Sequence, residues 1–267
     1  MSSLFPLLDQ PQVLGVLFHP RRGFESPAGD GRAVRIPVEG TVFVGGKIFA
    51  PTAAERTGRN DAPVILFFHG NGEIASDYDE ISRLYTQLGI TLFVVDYRGY
   101  GLSTGTPTAT ALIADARVIG ESVRSILSMH GTACDRLFVM GRSLGSAAAI
   151  EVALHDQANL SGLIIESGFA DTLALVERIG DLHFTDGDDA RYGFDNLGKI
   201  ARVTLPTLLL HGEEDWIIPV SDARALHRQS GAVNKRLLTV PGAGHNDLLM
   251  LGRRAYFEAI ASVVFGE

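Results

Sequence analysis

Cysteine is nearly absent: Cys134 is the only one in 267 residues. A lone thiol excludes an intrachain disulfide and any cysteine-based metal site, and it is compatible with a reducing compartment. Long apolar runs are missing too. No stretch approaches 18 apolar residues, so no transmembrane helix is expected. The first residues lack a basic region, and Pro6 and Asp9 interrupt their apolar character, so neither a signal peptide nor export is expected and the expected location is cytoplasmic. Positive charge is the minority: 23 Lys and Arg stand against 31 Asp and Glu, a formal charge of −8, which argues against a nucleic-acid or anionic-membrane surface. The 11 prolines and 30 glycines together fall well short of the ~25–30% that marks disorder. Metal-binding spacings such as H-E-x-x-H do not occur, and Asp186, Asp188 and Asp189 miss the calcium-loop spacing. No metal and no cofactor are expected.

What is present is an ordinary globular composition, 46% hydrophobic and 20% charged, with an excess of glycine. Continuously apolar runs at Pro63–His69, Ile90–Asp96, Arg136–Gly141, Leu160–Glu166, Pro206–His211 and Lys235–Val240 read as strands buried on both faces. Ala33–Val38 and Thr41–Ala50 read as an antiparallel hairpin through Glu39-Gly40. Helical segments are expected at Ser76–Leu88, Thr110–Met129, Leu144–Leu154, Ser221–Gln229 and Asp247–Phe265, with Ser76 and Ser221 as N-caps and Asp247 in a first turn. Strands alternating with helices predict an α/β architecture: a mostly parallel, eight-stranded sheet with an N-terminal antiparallel hairpin and helices on both faces. Residues 1–267 read as a single domain, with a small, polar cap inserted at 168–200. The apolar arm Leu7–Phe18 has two placements open to it, on the domain or on a second subunit in a homodimer.

Ligands of such sheets lie at the carboxyl ends of the strands, where much of the glycine excess falls. Gly141-Arg142-Ser143-Leu144-Gly145 follows one strand and opens a helix of small residues, a strand–turn–helix context that makes Ser143 a candidate nucleophile rather than a helix cap. Side chains at either glycine are expected to clash with so tight a turn. After an earlier strand, His69-Gly70-Asn71-Gly72-Glu73 can aim a backbone N–H at an oxyanion. Asn71, with the Leu144 N–H as partner, is the candidate donor. His69 reads as structural. Asp215, in H211-G-E-E-D-W-I-I-P219, is the favoured acid over Glu213, Glu214 and Glu166. Of the eight histidines, His245 alone combines a glycine-rich loop, after Gly242 and Gly244, with a position last in the order.

The order Ser143, Asp215, His245, together with H69-G-N-G, D96-Y-R-G-Y-G-L-S-T-G105, G141-R-S-L-G145 and G244-H245, resembles the α/β-hydrolase superfamily of serine hydrolases from about Ala33 onward. The H69-G-N-G loop and the D96-Y-R-G-Y-G segment resemble those of its small members related to monoacylglycerol lipases and protein depalmitoylases. The resemblance implies an acyl-enzyme mechanism on a small ester, or a thioester, with Ser143 as nucleophile, His245 as base and Asp215 as acid. Serine at 143 separates the chain from dehalogenases and epoxide hydrolases of this fold, which use aspartate. Peptidase or amidase activity and cofactor-free non-hydrolytic chemistry are the alternatives. The expected substrate pocket takes in Gly70, Glu73, Arg142, Phe169 and Trp216, with Leu182, Phe184, Tyr192 and Phe194 from the cap. Arg142 and Glu73 have a second reading as an ion pair beneath the turn, and Trp216 as a core residue.

Overall fold

The computed structural model describes residues 3–23, 31–55, 61–185 and 188–266; Asp186 lies outside them. Eight strands form one sheet: β1 (Arg32–Glu39), β2 (Val42–Phe49), β3 (Pro63–Phe68), β4 (Thr91–Val95), β5 (Arg136–Arg142), β6 (Gly162–Glu166), β7 (Thr207–Gly212) and β8 (Lys235–Val240). Their order is β1-β2-β4-β3-β5-β6-β7-β8. β2 runs antiparallel to β1 and β4, and all other pairs are parallel. The expected architecture and all eight strands are therefore present.

Alternation along each strand covers both faces. Val64, Leu66, Phe68, Leu137 and Val139 join one apolar cluster, and Ile65, Phe67, Phe138 and Met140 join the other. The first face is covered by α3 (Ala109–Met129), α4 (Gly145–His155) and α8 (Val220–Gln229), the second by α2 (Ser82–Thr86) and α9 (Leu248–Phe265). The chain leaves β3 toward β4 on one side and returns through α3 to β5 on the other. The loops after β3 and β5 thus diverge and open a crevice at the strand ends.

Three local expectations change. The helix expected at Ser76–Leu88 is broken into a 3-10 turn, Ala75–Tyr78, and α2. Asp77 accepts from the Ile74 N–H at 3.0 Å, and the Ser82 hydroxyl donates to the Asp79 carbonyl at 3.0 Å, local bonds that compete with a continuous helix. Ser76 and Ser221 are not caps: the turn begins after Ile74, and α8 begins after Pro219. Asp247 stands at the N-cap of α9, but its carboxylate accepts from the Gly244 N–H at 2.7 Å instead.

The N-terminal arm forms α1 (Pro11–Leu17) and packs on its own domain, with Leu8, Val13, Leu17 and Phe18 buried. Asp9 fastens it to the first turn of α3, accepting from the Thr110 hydroxyl at 2.6 Å and N–H at 3.1 Å. Between β6 and β7 the chain makes α5 (Thr172–Gly180), α6 (Asp189–Tyr192) and α7 (Asn196–Ile200). α5 packs on α1, whereas α7 packs on α4 and α8 within the helical layer.

Candidate active site

The turn after β5 explains its own glycines. Ser143 holds φ at +50°, a left-handed conformation that costs a non-glycine residue about 1–3 kcal/mol. A Cβ on Gly141 would fall onto the Gly145 carbonyl, and one on Gly145 onto the carbonyls of Phe68 and His69. The glycines thus let α4 start against β3 and β5, and the clash they avoid is with backbone rather than with Ser143. The Ser143 carbonyl accepts from the Ser146 N–H and hydroxyl, at 2.9 and 2.7 Å. Its hydroxyl does not cap α4.

That hydroxyl instead meets His245 Nε2 at 3.0 Å. His245 Nδ1 lies 2.7 Å from Asp215 Oδ2, and Asp215 Oδ1 accepts from the N–H groups of Ile217 and Ile218 at 2.9 and 2.8 Å. Burial alone would raise the Asp215 pKa. The hydrogen bonds from His245 and the Ile218 N–H outweigh it and hold the carboxyl below its ordinary value. The rival acids are occupied elsewhere: Glu213 accepts from Thr239 at 2.7 Å, and Glu166 from Tyr256 at 2.6 Å. Glu214 lies exposed. His69 is fully buried between the Gly70 carbonyl (2.8 Å) and Asp96 (3.2 Å). His211 donates to the Ile218 carbonyl at 2.8 Å, and burial lowers its pKa.

Ser143, Leu144, Asn71 and His245 line one cavity of about 280 Å³. Its apolar wall is Val16 and Leu17 of α1, Leu175 and Ile179 of α5, and Ile217 and Ile218 after Asp215. Of the expected pocket residues Arg142 lines it, whereas Gly70, Glu73, Phe169, Trp216 and the residues expected from the cap do not. Phe169 is fully buried and packs against the equally buried Phe194, because the chain after β6 turns into the core before reaching α5. Trp216 is 87% exposed, neither wall nor core. The turn that bonds Asp215 to the Ile217 and Ile218 N–H groups buries Ile218 and leaves Trp216 outside. Leu182, Phe184 and Tyr192 pack on the core cluster rather than on this cavity.

Arg142 and Glu73 form an ion pair beneath the turn. The Arg142 guanidinium also reaches Glu166 at 3.1 Å, the His245 carbonyl at 2.8 Å and the Asn246 side chain at 2.9 Å. Burial opposes its charge, but Glu73 and Glu166 raise its pKa above the ordinary arginine value. Glu73 accepts in turn from the Gly70 N–H at 2.8 Å and the Tyr78 hydroxyl at 2.7 Å. Gly70 thus sits behind the loop, where a Cβ would press on Arg142 and Glu73. Asn71 is fixed from outside, its Oδ1 accepting from the His19 N–H and the Tyr100 hydroxyl, both at 2.8 Å. Sequence reasoning missed Val16, Leu17, His19 and Asn246. The apolar pattern of the arm signalled burial but not against what, and nothing local marks His19.

A family model described as Hydrolase_4: Serine aminopeptidase, S33 matches residues 59–178 and 195–249. Protein bem46 of Schizosaccharomyces pombe is 30% identical over 206 residues, covering 74% of this chain and 66% of the relative. Human alpha/beta hydrolase domain-containing protein 17B is 31% identical over 216 residues, covering 79% and 69%. The chain thus spans about two thirds of the length of these relatives. Among solved structures, the Pyrococcus furiosus esterase Pf2001 superposes with a TM-score of 0.71 at 16% identity, covering 94% of this chain and 98% of that one. A soluble variant of monoglyceride lipase from Saccharomyces cerevisiae superposes with a TM-score of 0.67 at 16% identity, covering 91% and 99%. At such identities the likeness is one of fold.

Proposed function

This chain belongs to the α/β-hydrolase superfamily and its Hydrolase_4 family, and we propose that it is a serine hydrolase cleaving carboxylic esters through an acyl-enzyme. One observation carries the reading: the hydrogen-bonded line Ser143–His245–Asp215 opens onto a largely apolar cavity.

In this reading neutral His245 takes the Ser143 proton through Nε2, and Ser143 Oγ attacks the carbonyl carbon. Asp215, kept ionised, holds the Nδ1–H and stabilises the imidazolium. The N–H groups of Leu144, ahead of the first turn of α4, and of Asn71 receive the oxyanion, each worth about 10²–10³ in rate. The imidazolium then protonates the leaving alcohol, and His245 activates a water that releases the acid. Thioesters fit the same apparatus. The required partner is a small, neutral ester; no cofactor is called on.

The family model's description names an aminopeptidase. Capture of a peptide's N-terminal ammonium needs a carboxylate in the pocket. Among the described residues lining the cavity the one charged side chain is Arg142, and none is Asp or Glu. That wall favours an uncharged ester over a peptide with a free amine.

The test is Ser143→Ala with p-nitrophenyl acetate and butyrate, alongside a fluorophosphonate probe. Hydrolysis and labelling by the natural chain, both lost in the variant, are expected. Hydrolysis that survives the substitution overturns the assignment.

A further inference from the structure

Part of the cavity wall is supplied by the N-terminal arm, which lies ahead of the segment matched by the family model. Three observations fasten that arm to the site. Val16 and Leu17 face the same cavity as Ser143. Val16 lies so close to α5 that a Cβ on Gly180 would come within 2.6 Å of it. Immediately after α1, His19 grips the oxyanion loop: its N–H donates to Asn71 Oδ1 at 2.8 Å, and its Nδ1 lies 2.8 Å from Asn71 Nδ2. The depth of the cavity is therefore set by the approach of α1 to α5. Its volume, about 280 Å³, is at the lower end of small-molecule pockets, which span about 300–1,000 Å³.

We propose that α1 is the specificity element of this enzyme, with Val16 as the gauge of acyl length: the cavity between α1, α5 and the Ile217–Ile218 turn receives an unbranched, uncharged acyl chain of short to medium length. This rests on the serine-hydrolase reading above. Val16 is the residue best placed for the role because it is only partly buried and touches both cavity and α5. Leu17, by contrast, is 2% exposed and belongs to the core. A larger residue at 16 shortens the cavity without touching Ser143, His245 or Asp215; a smaller one lengthens it.

The experiment is a chain-length series of p-nitrophenyl acetate, butyrate, hexanoate and octanoate on the natural chain, Val16→Phe, Val16→Ala and Ser143→Ala. Fluorophosphonate titration counts the competent sites in each preparation except Ser143→Ala. Val16→Phe is expected to lose the longest accepted esters, relative to acetate, by about tenfold or more, as a misfit in an apolar pocket does. Val16→Ala is expected to move the preference toward longer chains. Unchanged length ratios in both variants, or a uniform fall across the series, overturn the proposal while leaving the Ser143 assignment intact. Failure of the natural chain to cleave any ester removes the underlying reading and the proposal with it.

Discussion

Arg142 donates from Nη2 to the main-chain carbonyl of His245 at 2.8 Å, so the residue beside Ser143 carries the loop that bears His245. The same guanidinium pairs with Glu73, which holds the Gly70 N–H of the loop after β3. One buried cation thereby sets three loops against one another. Replacement by Gln is expected to leave Glu73 and Glu166 without a counter-charge and to destabilise the fold by about 3–5 kcal/mol. The surviving folded fraction should show a lowered kcat with KM little changed. Urea unfolding and steady-state kinetics check the two effects separately.

Asp215→Asn keeps the size of the side chain but offers an N–H₂ where His245 Nδ1 needs an acceptor. Turnover is expected to fall by about 10⁴ as the imidazole takes the wrong tautomer. Replacement by Gln of Glu213, whose carboxylate accepts from Thr239 of β8, should change kcat by less than about twofold, a difference of a few tenths of a kcal/mol. A comparable loss in both variants contradicts the place given to Asp215.

Asp189 links α6 to α5, accepting from the Thr172 N–H at 2.9 Å. Burial, helped by the nearby charge of Asp171, raises its pKa from 3.8 to about 6. The folded chain therefore binds this proton more tightly than the unfolded chain. Its stabilising effect is complete below pH 4 and is lost as pH rises from about 4 through about 6. Asp189→Asn retains an acceptor for Thr172 and has no charge to bury. Relative to the natural chain, its Tm should rise progressively between pH 4 and 7. A constant offset across that range counts against an ionisable, buried Asp189.

Gly145→Ala places a methyl group on the Phe68 carbonyl, backbone that cannot turn aside. The expected result is a loss of at least about 1–3 kcal/mol, the usual range for overpacking, together with loss of labelling at Ser143. Denaturation curves and probe labelling measure both.

Trp216 is the sole tryptophan, and it is 87% exposed. Its fluorescence should already resemble that of indole in water and shift little on unfolding. Trp216→Ala should change stability by no more than about 0.5 kcal/mol. A blue-shifted native emission contradicts this placement.

The serine turn was legible because every requirement is local: a strand, two glycines around a serine, then small residues that allow α4 to start against the sheet. The strands were legible for a similar reason, since burial on both faces leaves an unbroken apolar run. The chain order of Ser143, Asp215 and His245 likewise follows from which loops emerge at the carboxyl ends of parallel strands. The helix expected at Ser76–Leu88 was read wrongly because Asp77 and Ser82 bond locally to the backbone there, an outcome that periodicity does not encode.

Only the tertiary structure decided what meets what across long separations. Apolar character says that Phe169 and Val16 leave water, but not that Phe169 enters the core while Val16, more than 150 positions from Leu175 and Ile217, closes the cavity beside them. It does not say that Trp216 stays outside because Asp215 draws in the Ile217 and Ile218 N–H groups. Nor does a single arginine at the end of a strand announce contacts with Glu73, Glu166 and His245. Periodicity and turn chemistry act within a few residues. The cavity wall and the ion pairs beneath it depend on close packing and charge compensation between segments that meet only once the sheet has formed.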